Sequence, residues 1–139
     1  MDQKQIEARL MEMVNGRHQF SAENGILLER VEEGYAEGRL TTGENSINPG
    51  GNIHGGALAT LADVVGGCCA CSKGGVCVTA SSNLEYLRPA AGPWIKGVAR
   101  ARKLGRALSV IQVDLTDNED RLVACGTFTF YMFPNENGR

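Results

Sequence analysis

The chain has 139 residues, enough for one domain by the prior of roughly 100 to 200 residues per domain and too few for two of that size. Lys and Arg total 14 against 16 for Asp and Glu, a formal charge of -2, which argues against a nucleic-acid backbone or an anionic membrane as the main partner. Hydrophobic residues at 42% and charged residues at 22% exclude extended disorder, and no apolar run reaches the length of about 18 residues that a spanning helix needs.

The opening Met1-Asp2-Gln3-Lys4-Gln5 carries no apolar stretch of signal-peptide type. Five cysteines, an odd number, fit a reducing compartment better than a disulfide framework. A cytoplasmic protein is expected, with one domain over residues 1–139, of which 1–24 form a helix and lead-in and Asn135 to Arg139 a frayed tail.

From Gln3 to Val14 the apolar residues Ile6, Leu10, Met11, Met13 and Val14 recur at roughly helical spacing, predicting an amphipathic helix that ends near Asn15-Gly16. Ile26 to Val31 and Tyr35 to Leu40 read as two strands joined by the tight turn Glu32-Glu33-Gly34. Thr41 to Ile53 is a Gly-, Asn- and Ser-rich loop with a proline at 49. A helix begins near His54 or Gly55 and runs to Cys71; it lacks a polar face, so burial on every side is expected. Four segments of strand character follow: Val76 to Leu87, Trp94 to Leu104, Ala107 to Leu115 and Leu122 to Phe133. Short turn-forming separators predict that successive strands pair as antiparallel hairpins. The order predicts an α+β fold in which one curved antiparallel sheet wraps a central helix.

Glycine stands out at 18 of 139 residues, against an average near 7%. Gly50-Gly51, Gly55-Gly56, Gly66-Gly67 and Gly74-Gly75 all fall in the middle third, where the backbone must turn tightly or approach something closely. At the start of the central helix, Gly55 and Gly56 leave backbone N–H groups uncovered at the positive end of the helix dipole. Such groups can hold a carbonyl oxygen as it gains negative charge, or they can simply be a tight helix start that needs small residues. Asp63 is the sole ionisable side chain in the apolar helix, and a buried carboxylate is costly unless hydrogen-bonded or paired. Either a catalytic acid or a structural one bonded to backbone or Ser/Thr groups would satisfy that demand. His54, alone, reads equally as a cap.

His54 and Asp63 are nine residues apart, which on one helix is a rise of about 13.5 Å and a turn of about 900°, leaving them on opposite faces. They cannot serve one atom within a single chain. If both take part in one reaction, a second copy must bring its Asp63 to the first copy's Gly-Gly end, so an obligate dimer with paired sites is expected.

The pattern Asn48-x5-His54-Gly55-Gly56-x6-Asp63, a buried helix and four following strands resemble the hot dog fold acyl-CoA thioesterases, specifically the phenylacetate-pathway (PaaI-type) branch, from about Ile26 to Phe133. The resemblance implies hydrolysis of an acyl-CoA or aroyl-CoA thioester to free acid and CoA, with no metal and no cofactor, by a homodimer that pairs into a dimer of dimers. It implies that Asp63 is the catalytic carboxylate, as general base on a water or as nucleophile, and that the Gly56 N–H polarises the carbonyl. Asn48 and His54 resemble the residues that orient thioester and water, Asn48 coming from the subunit opposite Asp63. Thr79 falls near where related enzymes place a Ser or Thr that positions the water, with Ser81 and Ser82 close enough to be confused with it.

Gly55 joins the substrate-binding end of the helix, and Arg88, Lys103 and Arg106 are candidates for CoA phosphates, or are solvated turn charges. No Walker-type loop and no Gly-x-Gly-x-x-Gly after a strand supports nucleotide chemistry. Cys68 and Cys71 have the C-x2-C spacing, but a zinc site wants a second pair, so small thiols filling a tightly wrapped helix are the better account. Trp94, Phe128, Phe130, Tyr131 and Phe133 read as core or interface residues. Two other functions compete: a non-catalytic acyl-CoA-binding module on the same fold, and a hydratase or dehydratase. Binding alone does not require a carboxylate near the thioester, and the related hydratases pair His and acid in motifs this segment lacks.

Overall fold

The computed structural model describes residues 1–133, so the expected tail from Asn135 to Arg139 lies outside the described residues. Helix α1, Gln3–Val14, opens on a capping box: the Asp2 carboxylate accepts from the Gln5 N–H and the Gln5 amide oxygen accepts from the Asp2 N–H. A four-residue helix α2, Phe20–Glu23, follows; the sequence pattern showed no period there because one turn is too short to display one. Strands β1, Ile26–Glu32, and β2, Tyr35–Thr41, form the expected hairpin, with Gly34 at φ 73 in the turn. A 3-10 turn at Glu44–Ser46 interrupts the loop before the central helix α3, Gly55–Ala70. The remaining strands are β3, Val76–Tyr86, β4, Trp94–Leu104, β5, Leu108–Asp117, and β6, Leu122–Phe133.

All neighbours in the six-stranded sheet are antiparallel, in the order β1-β2-β4-β5-β6-β3, and α3 packs against its inner face. This is the hot dog architecture. One connection departs from the hairpin expectation: β3 does not pair with β4 but with β6, from Val76 opposite Phe133 to Tyr86 opposite Ala124. The separator holds Pro89 and Pro93, with Gly92 at φ 99, and it crosses the end of the sheet instead of folding back on itself. Its carbonyls are spent on that crossing: Pro93 accepts from the Thr42 N–H at 3.0 Å and Ala90 from the Ile53 N–H at 2.8 Å.

The helix can approach the sheet because glycine faces it. Gly38 on β2 and Gly97 on β4 are cross-strand partners, and a side chain at either would meet Val65 at 3.0 Å or Leu61 at 3.1 Å. Leu61 and Val65 are fully buried on that face, together with Ile95, Ile111, Val113, Leu115 and, at 1% exposure, Phe130. Burial on every side does not hold within one chain, however. The face of α3 that carries Gly56 and Asp63 is exposed, since the sheet curls round only the opposite face and β3 is its last strand. Among the described residues no helix is long and apolar enough to cross a membrane.

The two edges of the sheet are treated differently. The β1 edge is satisfied by side chains from the first helix region: Asn15 bonds both the N–H and the C=O of Leu28 (2.8 and 2.9 Å), and Glu7 accepts from the Val31 N–H at 2.9 Å. The β3 edge is exposed on both faces from Val78 to Asn83. A long bare edge is a template for pairing with another chain.

Two predictions follow from the packing. Phe130→Ala removes the ring lying beside Gly66 and Gly67 and should cost about 3–5 kcal/mol in denaturant unfolding; a cost below about 1 kcal/mol would contradict this packing. Asp117, 2% exposed, closes the turn between β5 and β6 by accepting from the Glu119 and Arg121 N–H groups and from Arg121 Nε at 2.8 Å. Burial opposes its ionisation, but these donors outweigh it and hold the carboxyl below the usual carboxylate range. A carboxyl lowered in the folded state adds stability above its unfolded pKa and loses it as pH falls through the folded value. Asp117→Asn should therefore lower the thermal midpoint at pH 7, and the gap from wild type should narrow below about pH 4. Melts across that range check this, a constant gap contradicting it.

Candidate active site

The start of α3 is held by two loops and the end of β3. The His54 N–H donates to the carbonyl of buried Ser46 at 2.6 Å, the Ile53 N–H to Ala90, and the Tyr86 hydroxyl to the Gly55 carbonyl at 3.3 Å. His54 itself is the N-cap: its Nδ1 accepts from the Gly56 N–H at 2.8 Å. Nδ1 therefore carries no proton, and a neutral ring carries it on Nε2.

That cap corrects one expectation. The Gly56 N–H, expected to be uncovered, is engaged by the imidazole of its own chain, because an exposed histidine two residues earlier can fold back where smaller caps usually act. Among the described residues no hydrogen bond takes the Gly55 N–H, so that glycine keeps the free donor at the helix tip. Asn48 is also engaged locally. Its side-chain oxygen accepts from the Gly50 and Asn52 N–H groups (3.0 and 3.1 Å) and ties the turn before the helix, while its amide nitrogen has no acceptor among the described residues.

Asp63 lies two turns further along the exposed face, and there the structure unites two of the candidates. Thr79 on β3 donates its hydroxyl to Asp63 Oδ1 at 2.6 Å. A carboxylate only accepts, so the Thr79 proton is committed to it and the hydroxyl lone pairs remain free to accept from a water. Of the alternatives to Thr79, both past the irregularity that shifts the β3–β6 register after Thr79, Ser82 lines the groove beside Asp63 and Ser81 does not. His54 and Asp63 stand apart on α3 as their spacing requires.

Asp63 borders two cavities. One is an open groove between α3 and β3, about 550 Å³, running past Thr60, Ser82 and Tyr86 to the exposed ring of Phe20. The other, about 320 Å³, lies under α1 and is mostly apolar, walled by Ile6, Leu10 and Met13 and by the thiols of Cys68, Cys71 and Cys77. Burial pushes the Cys68 thiol up to about 12, so it is protonated at neutral pH and is no rival nucleophile to the carboxylate. All five cysteines are free thiols, and the thiol lining includes Cys77 on β3, which only the fold brings to Cys71.

The three candidate phosphate cations do not converge within one chain. Arg88 follows the Tyr86 end of β3, whereas Lys103 and Arg106 lie where β4 turns into β5, at the opposite end of the sheet near Tyr131 and Phe133. About seven strand residues, or roughly 23 Å, separate the two ends. All three are exposed, since turns and strand ends place charges in solvent wherever they fall. The aromatic residues divide: Phe128 and Phe130 are core, Trp94 is half-buried beneath the Arg39 guanidinium, and Tyr131 is exposed.

Comparison with known proteins places this geometry. Residues 50–124 match the model of the Thioesterase superfamily. The acyl-coenzyme A thioesterase PaaI of Escherichia coli is 28% identical over 101 residues, 72% of each chain. The solved structure of the Escherichia coli PaaI protein shares the fold with a TM-score of 0.86 at 21% identity, over 95% of this chain and 96% of that one. A protein of Streptococcus pneumoniae described as a hypothetical thioesterase and solved with coenzyme A has a TM-score of 0.76 at 29% identity, over 83% of this chain and 93% of that one. By a matched segment that spans more than half its length, with the hot dog fold around it, the chain belongs to the Thioesterase superfamily.

Proposed function

We propose that the protein hydrolyses the thioester bond of an acyl-CoA or aroyl-CoA at a site shared by two copies of the chain. The observation that carries this reading is the Asp63–Thr79 pair, an oriented carboxylate at the mouth of an apolar cavity. With Oδ1 held by Thr79, Oδ2 is free to take a proton from a water or to attack the carbonyl carbon itself. In the first route the water oxygen adds to the carbonyl, the tetrahedral intermediate collapses, and CoA leaves as its thiol once the proton reaches sulfur. In the second the carboxylate adds to the carbonyl carbon, the C–S bond breaks and CoA leaves as its thiolate, which is then protonated; water opens the resulting anhydride, releasing the acid and restoring Asp63. The Thr79 lone pairs suit it to hold that water next to Asp63.

The carbonyl oxygen needs donors that Asp63's own helix tip is too distant to supply. The bare β3 edge supports their delivery from a second copy. In an antiparallel edge pair about a two-fold axis at Ser82, Val78 of one copy lies opposite Tyr86 of the other. Tyr86 sits on Gly55, so that pairing carries a second copy's helix tip, with Gly55, Gly56, His54 and Asn48, toward Thr79 and Asp63. The incoming carbonyl would displace His54 Nδ1 from the Gly56 N–H, and the free Asn48 amide would be a further donor. The same reversal brings Arg88 of one copy toward the end of the sheet where the other carries Lys103 and Arg106, a cationic rim that could meet CoA phosphates.

A thiol-release assay over a panel of aliphatic and aromatic CoA esters should show turnover of at least one, and Asp63→Ala should lower it by about 100-fold or more. Esters that bind without cleavage would favour a binding module, and equal rates for wild type and Asp63→Ala would remove the mechanism. Thr79→Val should lower kcat with a smaller change in KM, and Thr79→Ser should restore most of the rate; a valine variant with full kcat would contradict the role given to the hydroxyl.

A further inference from the structure

Among the described residues that line the apolar cavity under α1, Arg9 is the one cationic side chain. Arg9 lies three residues after buried Ile6, on the side of the helix that borders the cavity. It is half-buried, lines the cavity, and has neither a hydrogen bond nor an ion pair among the described residues. The acids of its helix turn elsewhere, Glu7 onto the Val31 N–H and Glu12 to solvent. A guanidinium set among aliphatic and sulfur-bearing side chains without a carboxylate partner is unusual, since such groups are ordinarily paired when they leave water.

Arg9 and Cys71 line the same cavity. The Cys77 hydrogen bond favours the Cys71 thiolate, burial and Cys68 oppose it, and the Arg9 charge adds a smaller favourable effect. Cys71 caps the far end of α3, eight residues beyond Asp63, which is a rise of about 12 Å. Asp63 and Arg9 thus line one cavity, the carboxylate from α3 and the guanidinium from α1.

We propose that Arg9 is a specificity-determining residue that reads the far end of the acyl group, favouring acyl groups with an apolar body and a hydrogen-bond-accepting oxygen, as carboxylate or hydroxyl, at that end. This rests on the thioester reading of the same site. The apolar body fills the aliphatic and sulfur wall, and the terminal oxygen supplies the partner that Arg9 lacks. An unsubstituted analogue offers the half-buried guanidinium no acceptor, and the lost hydrogen bond is what discriminates against it.

Two matched pairs of esters test this: phenylacetyl-CoA against 4-hydroxyphenylacetyl-CoA, and hexanoyl-CoA against adipoyl-CoA, with wild type, Arg9→Met and Arg9→Lys. For wild type, kcat/KM for the oxygen-bearing member should exceed that for its plain partner by about tenfold or more in at least one pair. Arg9→Met should bring the ratio to about one, and Arg9→Lys, which keeps the charge, should retain part of it. A preference confined to adipoyl-CoA assigns a carboxylate, and one confined to the phenol assigns a neutral hydroxyl. Ratios near one in wild type, or a wild-type ratio kept by Arg9→Met, would overturn the role of Arg9. Calorimetric binding of the corresponding non-hydrolysable thioethers gives the same ratios without turnover. Absent thiol release with a preserved, Arg9-dependent binding preference would therefore count against hydrolysis alone.

Discussion

Everything at the centre of this molecule depends on where the sheet stops. Six strands curl round one face of α3, and the last of them, β3, leaves the other face open with an aspartate on it. The hydroxyl of that last strand reaches the aspartate at 2.6 Å, so the strand that fails to cover the helix is also the strand that orients its acid. A seventh strand in the same chain would bury Asp63 and impose the desolvation cost of an unpaired carboxylate. The open edge avoids that cost and at the same time leaves a surface that a second copy can complete.

The contrast between the two edges supports this view. At β1, Asn15 and Glu7 hydrogen-bond the outward backbone groups, as expected of an edge protected from further pairing. At β3 the exposed stretch from Val78 to Asn83 is short-chained and mostly polar, with neither lysine nor proline to discourage a partner. The antiparallel run of α3 along β3, Asp63 beside Thr79 and Gly55 beside Tyr86, means that a two-fold reversal exchanges acid for helix tip. One symmetric contact would thus complete two sites, and the apolar cavity with Arg9 would extend each away from the seam.

Much of this was legible in the sequence because periodicity and punctuation are local. The central helix, the first hairpin and the strand extents follow from apolar spacing and from turns such as Glu33-Gly34. The spacing of His54 and Asp63 already excluded a site within one helix. Strand order was not legible: that β3 leaves β4 for β6 depends on which faces α3 must cover, a long-range outcome that no separator encodes. The capping of the Gly56 N–H by His54 was hidden because it depends on a side-chain rotamer. The convergence of Cys71 and Cys77, and of Arg9 with them, needs three separate elements to meet. The dispersal of Arg88 from Lys103 and Arg106 likewise follows from topology, since all three look alike as charges near turns.

The sharing of each site between copies is tested most directly by complementation. Asp63→Ala and His54→Ala subunits, each purified alone, should both be strongly impaired in thiol release. Co-expressed, about half of the dimers would be mixed, each with one site that retains both residues, and about a quarter of the wild-type rate should return. No recovery in mixed dimers, or full turnover by a monomer, would contradict a site assembled across the β3 edge.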